Sequence, residues 1–212
     1  GALTHQKGNK NSDFTPFLNS LAEKSIVFHG FANGKRSIEG IPAVLASLPT
    51  WMTEDFITSQ YASDKFNSLA SLLKTVGYNT SFFHGGKNGT MGFDAFCRSA
   101  GFDAYYGKNE YPNQADFDGH WGIWDEPYLQ YIAQTLNKFP KPFMSAVFTL
   151  SSHHPYKVPE KYKNKFRKGP LEIQQTIMYS DYALKKFFET ASTMPWFNNT
   201  IFVITADHTS EA

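Results

Sequence analysis

Short apolar runs rich in Val, Ile and Phe alternate along this chain with segments of helical periodicity, and that alternation restricts the fold more than any other feature. Strands buried on both faces read as continuous hydrophobic runs, and a β-α alternation closes into a parallel sheet flanked by helices. Strands are expected at residues 25–31, 79–83, 143–150 and 200–206, with a shorter one at 102–106. Thr15 and Pro16 open a helix as N-cap and first helical residue, with Phe17, Leu18, Leu21 and Ala22 on one face. A second helix follows Ser37, carrying Ile38, Ile41, Val44, Leu45 and Leu48 at helical spacing, with Pro42 early enough to be tolerated. Helices at 66–76 and 93–100 end at Gly77 and Gly101, and two more span 125–137 and 171–190. The polar, aromatic stretches 105–111 and 113–122 are expected to form an insertion loop. No repeat or low-complexity linker divides the sequence, so one domain over 1–212 is expected.

Composition removes several function classes. The formal charge is +1 with scattered Lys and Arg, so no nucleic-acid footprint is present. The basic stretch 157–168 includes Glu160 and aromatics and reads as a solvated loop. Cys97 is the single cysteine, which excludes an internal disulfide and a Cys-based zinc knuckle. No run approaches the roughly 18–20 apolar residues that cross a bilayer. The chain starts Gly-Ala-Leu and stops four residues after Asp207-His208, and is expected to be a fragment lacking sequence at both ends.

Four loops leave the ends of the expected strands, where ligands sit in open α/β sheets. The first, residues 33–37, puts Ser37 at a helix N-terminus, where backbone N–H groups and the macrodipole favour an anion. Flanked by Lys35 and Arg36, its hydroxyl is a nucleophile if a metal or base lowers its pKa, or else a plain N-cap supported by Glu39. The second, residues 83–90, has three glycines that let backbone approach a ligand, with His84 and Lys87 placed to meet an anionic group, or is a surface turn. The third, residues 151–156, carries His153 and His154, one expected to face the crevice and bind or protonate a leaving group. The fourth is Asp207-His208, a carboxylate and an imidazole apt for a divalent cation. His5, His29 and His120 have no such company and are read as surface or packing residues.

Taken in order, Asn33-Gly34-Lys35-Arg36-Ser37-Ile38-Glu39-Gly40-Ile41-Pro42, Phe83-His84-Gly85-Gly86, Leu150-Ser151-Ser152-His153-His154-Pro155-Tyr156 and Asp207-His208 resemble the lipoteichoic acid synthase-like (phosphoglycerol transferase) branch of the sulfatase and alkaline phosphatase superfamily. The likeness runs from about Thr15 to the C-terminus. It implies an α/β/α sandwich with a mostly parallel sheet, forming the extracytoplasmic domain of a bacterial membrane protein whose transmembrane helices lie outside these residues. It further implies transfer of a phosphoglycerol-type phospholipid headgroup to an envelope acceptor through a covalent intermediate on Ser37, where the synthases use threonine. Ser37, Asp207 and His208 would hold one divalent cation, manganese first, with magnesium, zinc or calcium as alternatives. His84 and His153, with Arg36 and Lys87, would contact the substrate.

Departures from the pattern qualify that reading. The family's Glu metal ligand lies on a strand that would precede Gly1. The Trp and Arg beyond the FHG motif correspond to Met91 and Phe93, so a bidentate phosphate clamp is missing. No Cys/Ser-x-Pro-x-Arg motif of formylglycine sulfatases is present. Two alternatives stand beside transfer: a sulfatase- or phosphatase-type ester hydrolase on the same fold, and an inactive envelope-glycan-binding module using the loop of Trp121 and Trp124.

Overall fold

Two adjacent phenylalanines show how the layers are built. In a computed structural model that describes residues 13–209, Phe82 and Phe83 are fully buried in the central strand β1 (Asn79–His84). Successive strand residues point to opposite faces. Phe83 enters a core with Tyr128, Leu129 and Ile132 of α5 (Asp125–Leu136) and Ala183 and Phe187 of α6 (Ile173–Ala191). Phe82 enters a second core with Ile41 and Leu45 of α2 (Ser37–Ala46), Ala70 of α3 (Leu69–Lys74) and Phe93 and Phe96 of α4 (Phe93–Ser99). Burying each ring is worth about 1.5–3 kcal/mol, so β1 fastens both helical layers to the sheet. The outcome is the expected α/β/α order.

β1 is flanked on both sides by parallel neighbours, in the order β2-β1-β3, with β2 at Ala104–Tyr106 and β3 at Phe143–Phe148. His84 pairs in register with Phe148, so the loops after β1 and β3 leave from the same sheet edge. The remaining helix, α1 (Pro16–Ala22), has Thr15 at its N-cap and Pro16 at its first position, as expected, but Thr15 makes no capping bond. The buried carboxylate of Asp181 on α6 instead accepts the N–H groups of Phe17 and Leu18, each at 2.9 Å, docking α1 by its positive end.

Two expected strands do not form. Residues 25–31 and 200–206 are extended or irregular and make no sheet ladder. Their apolar side chains face outward: Phe28 is 83% exposed, Phe31 97%, Ile201 90% and Val203 84%. An apolar run signals burial, but a strand also needs a hydrogen-bonding neighbour, and no described residue supplies one. Helix 66–76 is shorter than expected because Ser68, whose hydroxyl accepts the Ser71 N–H at 3.0 Å, sets its start. The stretch expected as an insertion loop is tied down. Ile123 N–H donates to Gly85 O at 2.9 Å, and Gly86 bridges Gly122.

Candidate active site

Ser37 is the first residue of α2, not its cap. Capping falls to Glu39, whose carboxylate accepts the N–H of Lys35 at 2.7 Å and of Arg36 at 2.9 Å. Those bonds, the Lys35 N–H first, hold the Glu39 carboxyl below its ordinary range. The chain can fold back over Glu39 because Gly34 has φ of +106° and a Cβ there would strike the Glu39 side chain. The Ser37 hydroxyl is therefore left for another partner. It lies 3.3 Å from Nε2 of His208, 171 residues away.

The Asp207-His208 segment is brought there by Gly40. A Cβ at Gly40 would sit 2.5 Å from the Asp207 carbonyl oxygen and 2.9 Å from its Cβ, so the C-terminal segment lies directly on the first turns of α2. Glycine inside a helix costs about 1 kcal/mol relative to alanine, and here its missing side chain is what admits Asp207. The Asp207 Oδ2 atom is buried without a hydrogen-bond partner and lies 3.6 Å from His208 Nε2. His208 Nδ1 is 2.8 Å from Thr209 O, a bond that puts the ring proton on Nδ1 and leaves the Nε2 lone pair facing Ser37 and Asp207.

A divalent cation fits this donor set. An orphaned carboxylate oxygen, an imidazole lone pair and a hydroxyl converge within a few ångströms, and an unpaired buried carboxylate oxygen is costly unless a cation or donor meets it. Among the described residues no group of three or more His, Cys, Asp and Glu side chains is placed to hold a metal, so the set is one carboxylate, one imidazole and one hydroxyl.

His84 closes β1 in a different environment. Its ring is buried between Phe93 at 5.3 Å and Phe148 at 5.3 Å, with Gly86 against it. Burial lowers its imidazole to about 4, so near neutrality it carries no charge. The Tyr105 hydroxyl lies 3.0 Å from Nδ1; when it donates there, Nε2 keeps a proton to offer an oxyanion. Phe93 fills space beside this imidazole, at the position where the resemblance places an Arg.

His153 is exposed on the loop after β3, and Asp125 fixes that loop. The fully buried Asp125 carboxylate accepts the N–H of Leu150 at 2.8 Å and of Ser151 at 3.1 Å and the Ser180 hydroxyl at 3.1 Å. Its own N–H donates to the Ser151 hydroxyl at 2.9 Å. Burial nevertheless pushes its carboxyl above the usual range. Arg36 faces Asp55 at 2.6 Å and Glu39 at 3.4 Å, so its guanidinium is already paired. Lys87 is exposed and makes no ion pair among the described residues.

Ser37, Asp207 and His208 thus converge, while His84 and His153 share the strand-end edge without touching them or each other. The sequence reading missed Asp125, whose helix-opening position looked like an ordinary first-turn acid. It also missed Gly40, although a glycine inside a helical pattern is a known mark of close approach. His120 has company after all: its Nε2 lies 3.2 Å from Lys157 Nζ, in the cleft that His153 lines. His29 is exposed, and His5 lies outside the described residues.

Comparison with known proteins bears on this geometry. The family model described as Sulfatase matches residues 5–212. Lipoteichoic acid synthase-like YvgJ of Bacillus subtilis is 25% identical over 205 residues, covering 92% of this chain and 33% of the relative. Phosphoglycerol transferase I of Citrobacter koseri is 25% identical over 212 residues, covering 92% and 28%. Among solved structures, an alkaline phosphatase superfamily protein from Vibrio parahaemolyticus superposes with a TM-score of 0.76 at 34% identity, covering 86% of this chain and 46% of that one. The periplasmic domain of EptC from Escherichia coli, solved in complex with zinc, shares the fold at a TM-score of 0.55 and 18% identity, covering 84% and 52%. This chain spans about a third of the curated relatives' length and about half of the solved chains. With the family model matched over nearly its whole length, the chain belongs to the Sulfatase family, and the curated relatives it is similar to include lipoteichoic acid synthases and phosphoglycerol transferases.

Proposed function

We propose that this chain is the catalytic part of a metal-dependent phosphotransferase that moves a phosphoglycerol-type headgroup from a phospholipid to an envelope acceptor. The observation that carries the reading is the 3.3 Å approach of Ser37 Oγ to His208 Nε2 beside the orphaned Asp207 Oδ2. Ser37, Asp207 and His208 would hold a divalent cation there, manganese in our reading, which would lower the serine pKa and offset charge on the phosphoryl oxygens.

Ser37 Oγ gives its proton to solvent and forms a bond to phosphorus as the bond to the lipid alcohol breaks. The departing diacylglycerol oxygen takes a proton from His153. In the second half the acceptor hydroxyl gives its proton back to His153 and attacks the same phosphorus, and the Ser37 oxygen leaves and regains a proton from solvent. His84, neutral and held by Tyr105, donates to a phosphoryl oxygen without adding charge. Arg36, paired with two carboxylates, orients the first turn of α2 in place of gripping substrate. Residues 1–212 would act as one extracytoplasmic domain beside a membrane; no helix among the described residues is long and apolar enough to cross one.

Incubating the full-length protein with manganese and labelled phosphatidylglycerol tests this. Diacylglycerol release with a glycerophosphoryl adduct on the Ser37 peptide supports transfer. Release of inorganic sulfate from an aryl sulfate, with no such adduct, points to hydrolysis on the same fold.

A further inference from the structure

A single turn of the chain reaches both histidine loops at the strand-end edge. Asp118 Oδ1 accepts the N–H groups of His120 at 2.7 Å, Trp121 at 2.8 Å and Gly122 at 3.1 Å, which shapes that turn. Gly122 bridges Gly86 in the loop after β1, close to His84. Trp121 instead crosses to the loop after β3 and packs on His153, with ring centroids 4.4 Å apart and planes at 57°.

The polar contacts there share one acceptor. The His154 carbonyl oxygen takes the indole Nε1–H of Trp121 at 2.5 Å and the Nδ1–H of His153 at 3.1 Å. A carbonyl oxygen has two lone pairs, so both bonds are held at once. The second keeps a proton on Nδ1 and leaves Nε2 as the free nitrogen of an exposed residue. Beneath the ring, buried Asp125 binds the N–H groups of Leu150 and Ser151 and fixes the loop. Trp121 has no room to take a ligand in the cleft it lines, whose cavity volume of about 10 Å³ admits a water. Lys157 and His120 in that cleft bond to each other at 3.2 Å, Nζ to Nε2, and not to His153.

We propose that Trp121 is a positioning residue for proton transfer, holding the His153 imidazole so that Nε2 meets first the departing and then the arriving oxygen. The assignment rests on the transfer reading above. In the first half the Nε2 proton goes to the lipid alcohol oxygen as its bond to phosphorus breaks. In the second half Nε2 takes the proton of the acceptor hydroxyl as that oxygen bonds to phosphorus. The Nδ1 proton stays in place throughout, so the bond to the His154 carbonyl survives both charge states of the ring. Trp121 shares that carbonyl and flanks the ring, which keeps its orientation between the two halves. A misplacement of about 1 Å is the kind that costs about 100-fold.

The test compares adduct formation on Ser37 of the full-length protein from phosphatidylglycerol and from a para-nitrophenyl ester of glycerol phosphate. Nitrophenolate leaves without a proton, whereas a lipid alcohol needs one. His153→Ala should slow the lipid reaction about 100-fold and the nitrophenyl reaction no more than about threefold. Trp121→Ala should show the same contrast, with a loss of about tenfold or more on the lipid, and Trp121→Phe, which keeps a ring against His153, should recover most of it. The variant carrying both Trp121→Ala and His153→Ala should be no slower than His153→Ala, because one residue acts through the other. Nitrogen NMR of labelled histidine, which needs no turnover, should find the His153 Nδ1 proton fixed in the wild type and mixed tautomers in Trp121→Ala. Equal losses on both esters, additive losses in the double variant, or a tautomer unchanged in Trp121→Ala, each with cooperative melting retained, overturn the assignment. A wild-type protein that forms an adduct with neither ester overturns the transfer reading, and the NMR result then decides on the His153 seat alone.

Discussion

Replacing Gly40 by alanine separates the site from the fold more cleanly than any substitution of a ligand. Judged by helix propensity alone, Gly40→Ala should stabilise α2 by about 1 kcal/mol. The structure predicts otherwise, because the new Cβ would lie 2.5 Å from the Asp207 carbonyl oxygen, where ordinary contact begins at 3.4 Å. The Asp207 segment must retreat by about 1 Å, a displacement of the size that costs about 100-fold in a positioned site. Residues 200–206 carry no sheet ladder, so they can yield without dismantling the core. Overpacking penalties of about 1–3 kcal/mol should thus be partly relieved. The expected pattern is a melting temperature within a few degrees of wild type, manganese affinity down at least tenfold by calorimetry, and transfer down about 100-fold. A variant that is more stable and fully active would refute the claim that Gly40 seats Asp207 beside Ser37.

Other perturbations address other parts of the account. Asp207→Asn should leave metal-free stability unchanged or higher, since it neutralises an unpartnered buried oxygen. It should abolish the manganese-induced stabilisation, which metal at 100 times Kd would otherwise set at about 2.7 kcal/mol, read as a rise in melting temperature. Asp125→Asn withdraws an acceptor from Ser151 and Ser180 and should cost about 1–3 kcal/mol in urea unfolding, with faster amide exchange at Leu150 and Ser151. His84 binds its proton more weakly when folded than when unfolded, so stability rises with pH between about 4 and 6.5 and is lost on acidification through that window. The loss attributable to this group is about 3 kcal/mol, and His84→Gln should flatten the slope in melts between pH 7 and 4.5.

Much of the architecture was legible in the sequence because its signals are local. The strands expected at 79–83 and 143–150 form as β1 and β3, the latter ending at Phe148, and the glycines after α3 and α4 stopped those helices as expected. Residues 25–31 and 200–206 carry the same apolar signal yet form no ladder. Composition reports a tendency to be buried and says nothing of whether a neighbouring strand is present. At the site, Ser37 and Asp207-His208 were expected together as loops leaving two strands, and they meet although neither of those strands forms. The uncharged state of His84 was not legible, since it depends on Phe93 and Phe148 enclosing the ring. The Asp125 clamp was equally hidden: its partners lie 25, 26 and 55 residues away, and no local pattern announces them.

Anomalous diffraction at the manganese edge, from crystals of the full-length catalytic domain soaked in manganese, tests the central claim most directly. The account predicts one strong peak at ligand distance from Ser37 Oγ, Asp207 Oδ2 and His208 Nε2 together. A peak elsewhere, or none at saturating metal with these three side chains still in contact, would contradict it.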